Sequence, residues 1–155
     1  MGLSLPDDLA CSLKIHNGMR NNFARLFSAI EYDHLLTCAE MARDCKMLRQ
    51  IVRGLEPSGA LGAEGRAVCG SRIRDRHWCD GWLKVTDFNG DGLVIDLDPG
   101  PRGSRGQVFR YYNSQPPRRV LADSWGELLE LYASRLAMGQ FEIQDDMLLL
   151  KRPLL

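Results

Sequence analysis

Between Trp78 and Val108, two short apolar runs flank the turn Asn89-Gly90-Asp91-Gly92, and this stretch constrains the fold more than any other. Asn-Gly and Asp-Gly pairs supply the positive φ angles of a tight hairpin at little steric cost. After the turn, Leu93, Ile95 and Leu97 alternate with Val94, Asp96 and Asp98, which is the period of a strand. Pro99-Gly100-Pro101 cannot donate to a ladder across its length, so pairing must stop there. The segment reads as strand, turn, strand and stop.

Upstream, Pro6 suits a first helical position, and Asp7 and Asp8 favour the helix dipole. Leu9 and Leu13 then face inward, and Asn17-Gly18 offers a left-handed stop near His16. Residues 23 to 33 fit either a short strand at Leu26-Phe27 or a capping box of Ser28 with Glu31. From Asp33 onward, Leu35, Leu36, Ala39, Ala42, Leu48, Ile51 and Val52 recur at helical spacing until Gly54, predicting one long helix that includes His34. Residues 54 to 71 are rich in glycine and aperiodic, which predicts a mobile surface connection.

Downstream, strands are expected over Gln107 to Tyr112 and Arg118 to Asp123, with a capping box of Ser124 and Glu127 opening a helix. Trp125, Leu128, Leu129, Tyr132 and Leu136 form its buried face, and Gly139 ends it. Phe141, Ile143 and Met147 to Leu150 predict a last hairpin about Asp145. The class is α+β: one domain over residues 1–155, a mainly antiparallel twisted sheet with helices at the N- and C-terminal ends packed on it. The expected core is Leu9, Leu13, Trp82, Leu83, Ile95, Leu97, Val108, Trp125 and Leu129.

Charge sets limits on partners. Lysine plus arginine number 20 and aspartate plus glutamate 20, so no global field favours nucleic acid or an anionic membrane. Five cysteines make an odd set without a paired framework, which suits a reducing compartment. With no basic-then-apolar leader and no long apolar run, the expected location is cytoplasmic.

Several chemistries compete with plainer readings. Asp87 to Gly92 matches the opening of a calcium loop, with Asp98 twelfth, but strand-like entry and a Pro-Gly-Pro exit favour a hairpin turn. Cys69, His77 and Cys79 lack the spacing and the fourth ligand of a zinc site. Nothing in the sequence places a thiol at a helix N-terminus beside His16, His34 or His77, as an activated nucleophile needs. Gly103 to Gly106 has neither the spacing nor the lysine of a phosphate loop. Arg66, Arg72, Arg74, Arg76, Arg102, Arg105 and Arg110, near Tyr111 and Tyr112, could form a basic aromatic surface, against which stands overall neutrality. The reading is a non-enzyme with no catalytic residue, metal or cofactor, which does not bind nucleic acid or membrane.

Gly81-Trp82-Leu83, the Gly-Asp-Gly turn, Ile95-Asp96-Leu97-Asp98-Pro99-Gly100 and Gly106-Gln107-Val108 together resemble the signature of the SUKH superfamily, named after a fungal cell-wall-synthesis regulator. Leu5-Pro6-Asp7-Asp8-Leu9 through His16-Asn17-Gly18 is similar to its N-terminal motif, and Val120 to Trp125 to its last strand and helix start. Lys84 departs from the pattern by replacing the usual proline after Trp-Leu, and the helix that usually precedes Leu-Pro is not expected in the four residues before Leu5. The resemblance implies a bacterial immunity protein, a monomer or weak homo-oligomer. It would cover the active site of a cognate toxin made by the same cell or delivered by neighbours, as in type VI secretion. The expected toxin contacts are Asp87, Asp91, Asp96 and Asp98, joined by Arg102, Arg105, Tyr111 and Tyr112. The second implied reading is a regulatory scaffold that binds a host enzyme or signalling protein.

Overall fold

The structure is a computed structural model, and it describes residues 4–19, 33–55, 70–113, 119–144 and 147–151. The alternative strand or capping box between residues 23 and 32, and most of the 54–71 connection, lie outside the described residues. Helix α1 spans Asp7–Ile15, with Pro6 before it and Leu9 buried. Asp8 bridges two elements: Oδ1 accepts from its neighbour Leu9 N at 2.8 Å, and Oδ2 accepts from Gly126 N at 2.8 Å. Asn17-Gly18 ends α1 and also starts the next helix. Asn17 Oδ1 accepts from Cys38 N at 2.9 Å, and Gly18, at φ 76°, lies so close that a Cβ would stand 2.5 Å from Thr37 N. Only glycine fits that approach.

The long helix starts later than its apolar spacing predicts. His34–Leu35 is strand β1, paired antiparallel with β3 (Thr86–Asp87), and α2 runs from Cys38 to Leu55. His34 therefore belongs to a strand. The true start is a capping box: Thr37 Oγ1 accepts from Glu40 N, and a Glu40 oxygen accepts from Thr37 N at 2.7 Å. Gly54 lies inside α2 and does not end it. Met41, Cys45 and Leu48 form the buried face, whereas Ala39, Ala42 and Ile51 face solvent.

The main sheet has the antiparallel order β2-β4-β5-β6, with β2 over Trp82–Lys84, β4 over Gly92–Asp96, β5 over Gln107–Tyr111 and β6 over Val120–Ala122. The hairpin turn is centred on Asn89 and Gly90, at φ 52° and 93°, and Phe88 and Asp91 exchange both backbone bonds around it. Two successive positive φ angles match the twist of the flanking strands.

Every residue of β4 and β5 is buried, so both faces of the central strands are covered. Leu83, Ile95 and Val108 share one face. Lys84, Val94 and Phe109 share the other, where Trp82 packs edge-on to Phe109 at 5.0 Å and Trp78 packs against Trp82 and Tyr111. Helix α3, Trp125–Ala137, opens on the expected cap, with Ser124 Oγ accepting from Glu127 N at 3.0 Å. The return bond reaches Asp123 N at 2.6 Å, one residue earlier than a standard box. The chain then forms the hairpin of β7, Phe141–Gln144, and β8, Met147–Leu150. The α+β class holds.

Candidate functional site

Where β4 leaves the sheet, two loops close on each other. Gly100 N donates to Arg72 O at 2.9 Å and Arg102 N to Ser71 O at 3.0 Å. Gly103 makes this contact possible, since a Cβ there would stand 2.1 Å from Arg72 O. Beneath the loops, Asp96 and Gln107 form a buried hub. Gln107 Nε2 donates to Asp96 Oδ2 at 3.0 Å and to Arg72 O at 2.9 Å, while its Oε1 accepts from Ser104 N. Asp98 N also donates to Asp96 Oδ1, at 3.1 Å. Burial pushes the Asp96 carboxyl above its ordinary range, and these donors only partly oppose it. The hub ties three loop segments to the sheet.

The outer side of this clasp is charged and open. Arg74 reaches Asp98 twice, Nε to the backbone oxygen at 3.0 Å and a terminal nitrogen to Oδ1 at 2.6 Å, and both side chains are about half exposed. Arg102 and Arg105 are exposed, with Arg105 donating to Ser4 O at 2.7 Å. Arg72 pairs with Asp123. A hollow of about 390 Å³ opens between Ser71, Ile73, Arg74, Asp75, Arg76 and Pro101.

The eight expected contact residues divide between two ends of the sheet. Asp98, Arg102 and Arg105 belong to the clasp. Asp87, Asp91 and Tyr112 lie at the hairpin end, four strand steps or ~13 Å along β4. Asp87 pairs with Lys84, whose Nζ also donates to Gly90 O at 2.9 Å, and Asp91 Oδ1 accepts from Asn113 N at 2.8 Å. Tyr112 is half-buried over the Arg110 guanidinium, 5.4 Å from its carbon. Two of the eight do not reach the surface: Asp96 is enclosed in the hub, and Tyr111 is buried against Trp78. Alternation cannot reveal that a second face is covered, and that placed both outside. The acidic patch is thus not an array of free carboxylates.

Arg110 also leaves the proposed basic surface. It is 0% exposed and pairs with Asp33, 1% exposed, which accepts in turn from Thr86 Oγ1 at 2.5 Å. The sequence signal was an arginine inside the apolar run Val108-Phe109-Arg110-Tyr111, a position that demands a buried partner. Arg66 and Cys69 lie outside the described residues. Cys45 is buried, which pushes its thiol up and away from nucleophilic character. Among the described residues, no group of three or more His, Cys, Asp or Glu side chains could hold a metal ion, and no helix is long and apolar enough to cross a membrane.

The sheet, its helices and the bonded clasp define an α+β domain whose polar side chains are spent largely on holding loops in place. Comparison with known families matches residues 1–131 to the SMI1/KNR4 family (SUKH-1), and the chain belongs to that family. The C-terminal hairpin lies beyond the matched residues. The chain is 26% identical to a glucan synthesis regulatory protein of Neurospora crassa, over 92% of this chain and 32% of the relative. It is 27% identical to the cell wall biosynthesis/cell cycle regulator of Schizosaccharomyces pombe, over 92% of this chain and 30% of that protein. A third match is the cell wall assembly regulator of Saccharomyces cerevisiae, 34% identical over 42% of this chain and 13% of the relative. The chain spans about a third of the length of the first two.

Proposed function

We propose that this domain is a non-catalytic docking module of regulatory type, which binds an enzyme or signalling protein at the clasp end of its sheet. The observation that carries the reading is the clasp itself: charged side chains displayed on loops that backbone bonds and the Asp96–Gln107 hub hold rigid. A preorganised surface loses little conformational freedom on binding, which favours recognition of a partner. The names of the fungal relatives favour this regulatory reading over toxin immunity.

The test is crosslinking and co-purification of the full chain from its own cells, beside an Arg74→Glu/Arg102→Glu variant. The expected result is a stoichiometric protein complex on size exclusion that the variant loses while its circular dichroism spectrum stays that of the folded chain. A complex equally stable with both chains would refute the clasp as the contact. Recovery of growth when the chain is co-expressed with a toxic neighbouring gene product would instead revive the immunity reading.

A further inference from the structure

Helix α2 turns Met41, Cys45 and Leu48 into the core, with Asp44 beside them. On its other side Arg43, Met47, Gln50 and Ile51 are all exposed, and they follow one another along a single stripe. Met47 is 49% exposed and Ile51 48%, one turn apart. Lys46 and Arg53 stand exposed in the adjacent row. From Cys45 to Arg53 the helix carries Lys46, Arg49 and Arg53 and no carboxylate. Arg49 is tied to Asp80, at 2.9 Å, and Arg43 reaches Asp44 at 3.4 Å, while Lys46 and Arg53 lie on the flank of the stripe beyond Gln50.

Single exposed aliphatic residues are ordinary, but a stacked pair with cations along one flank has the composition of a contact. Methionine adds an unbranched, polarizable surface that adapts to different partners. We propose that this face of α2 docks an acidic amphipathic segment of a partner protein, two apolar side chains covering Met47 and Ile51 while carboxylates face Arg43, Lys46 and Arg53. Charge complementarity selects that occupant. An anionic membrane would need a broad apolar face, and α2 has already spent its broad face on the core. On another side of α2, Arg49 donates to Asp80 O at 2.7 Å, next to Gly81, where a Cβ would meet Asp98, so the helix itself is anchored beside the clasp. The proposal rests on the docking-module reading and adds a second surface and the chemistry of its partner.

A random peptide library displayed on phage is selected on the full chain. Enriched peptides are then titrated by fluorescence anisotropy against wild type, Ile51→Glu, Lys46→Glu/Arg53→Glu and the remote control Glu130→Lys. The expected peptides carry net negative charge and two apolar residues three or four apart. Their affinity should fall about tenfold or more with each α2 variant, weaken as salt rises, and stay unchanged in the control. If Ile51→Glu loses the fold by circular dichroism, the charge-reversed double variant decides. Peptides without acidic bias, or binding indifferent to both α2 variants, would overturn this surface and leave the docking-module reading standing. Phosphatidylserine vesicles retained through the same residues in place of acidic peptides would overturn it in favour of a membrane. No enriched peptide, together with no protein complex in the crosslinking experiment, would sink both readings.

Discussion

At the scale of single residues, the buried charges do most to define this structure. Arg110 and Asp33 are enclosed together, and a buried ion pair is costly to break from one side because the other charge is left alone. Arg110→Met is expected to cost ~3–5 kcal/mol in urea denaturation, while the double variant Asp33→Leu/Arg110→Met recovers most of that loss. Equal destabilisation by single and double variants would show that the two charges do not answer each other. Asp96 behaves differently because burial raises its pKa. A folded-state value above the unfolded ~3.9 means the native protein holds the proton more tightly, so its stability falls as pH rises between the two values. The stability deficit of Asp96→Asn should therefore narrow from pH ~4 toward neutrality. A deficit that widens with pH would contradict the raised value.

At the scale of elements, the junction between α1 and α2 depends on local caps. Thr37, Glu40 and Asn17 satisfy amides at the start of α2, and Gly18 brings the two segments together. Thr37→Ala is expected to cost ~0.5–2 kcal/mol in thermal or chemical unfolding. The backbone bond from Thr37, then its hydroxyl, hold the Glu40 carboxyl below its ordinary range. Its contribution is present above the unfolded value and disappears as pH falls through the folded one. The gap between wild type and Glu40→Gln should thus narrow on acidification, and a gap that does not narrow as pH falls would contradict the lowered value. This element was half legible. Leu35 and Leu36 continue the helical spacing backward, yet β1 is a strand because it pairs with Thr86 and Asp87, far along the chain. Pairing over such a separation leaves no local pattern.

At the scale of the whole molecule, the clasp couples the sheet to the surface proposed for docking. Gly103→Ala would drive a methyl into Arg72 O, Pro99 and Gln107 at once. Loss of ~1–3 kcal/mol is expected. Faster hydrogen exchange at the Gly100 and Arg102 amides, which donate across the two loops, would locate the damage. Unchanged protection at those amides would mean the clasp does not depend on that close approach. Reading order along the chain could not foresee this joint, because loops around residues 72 and 100 meet only once the strands between them are paired.

The sequence by itself determined the hairpin at Asn89-Gly90, the stop at Pro99 to Pro101, the Ser124 cap and the α+β class, because each follows from backbone angles, missing donors or spacing within a few residues. Tertiary structure alone decided that both faces of β4 and β5 are covered, that Asp96, Arg110 and Tyr111 are interior, and that the expected contacts divide between two ends of the sheet. Burial is a property of what packs on top, and that layer comes from distant segments such as Trp78 and Asp33.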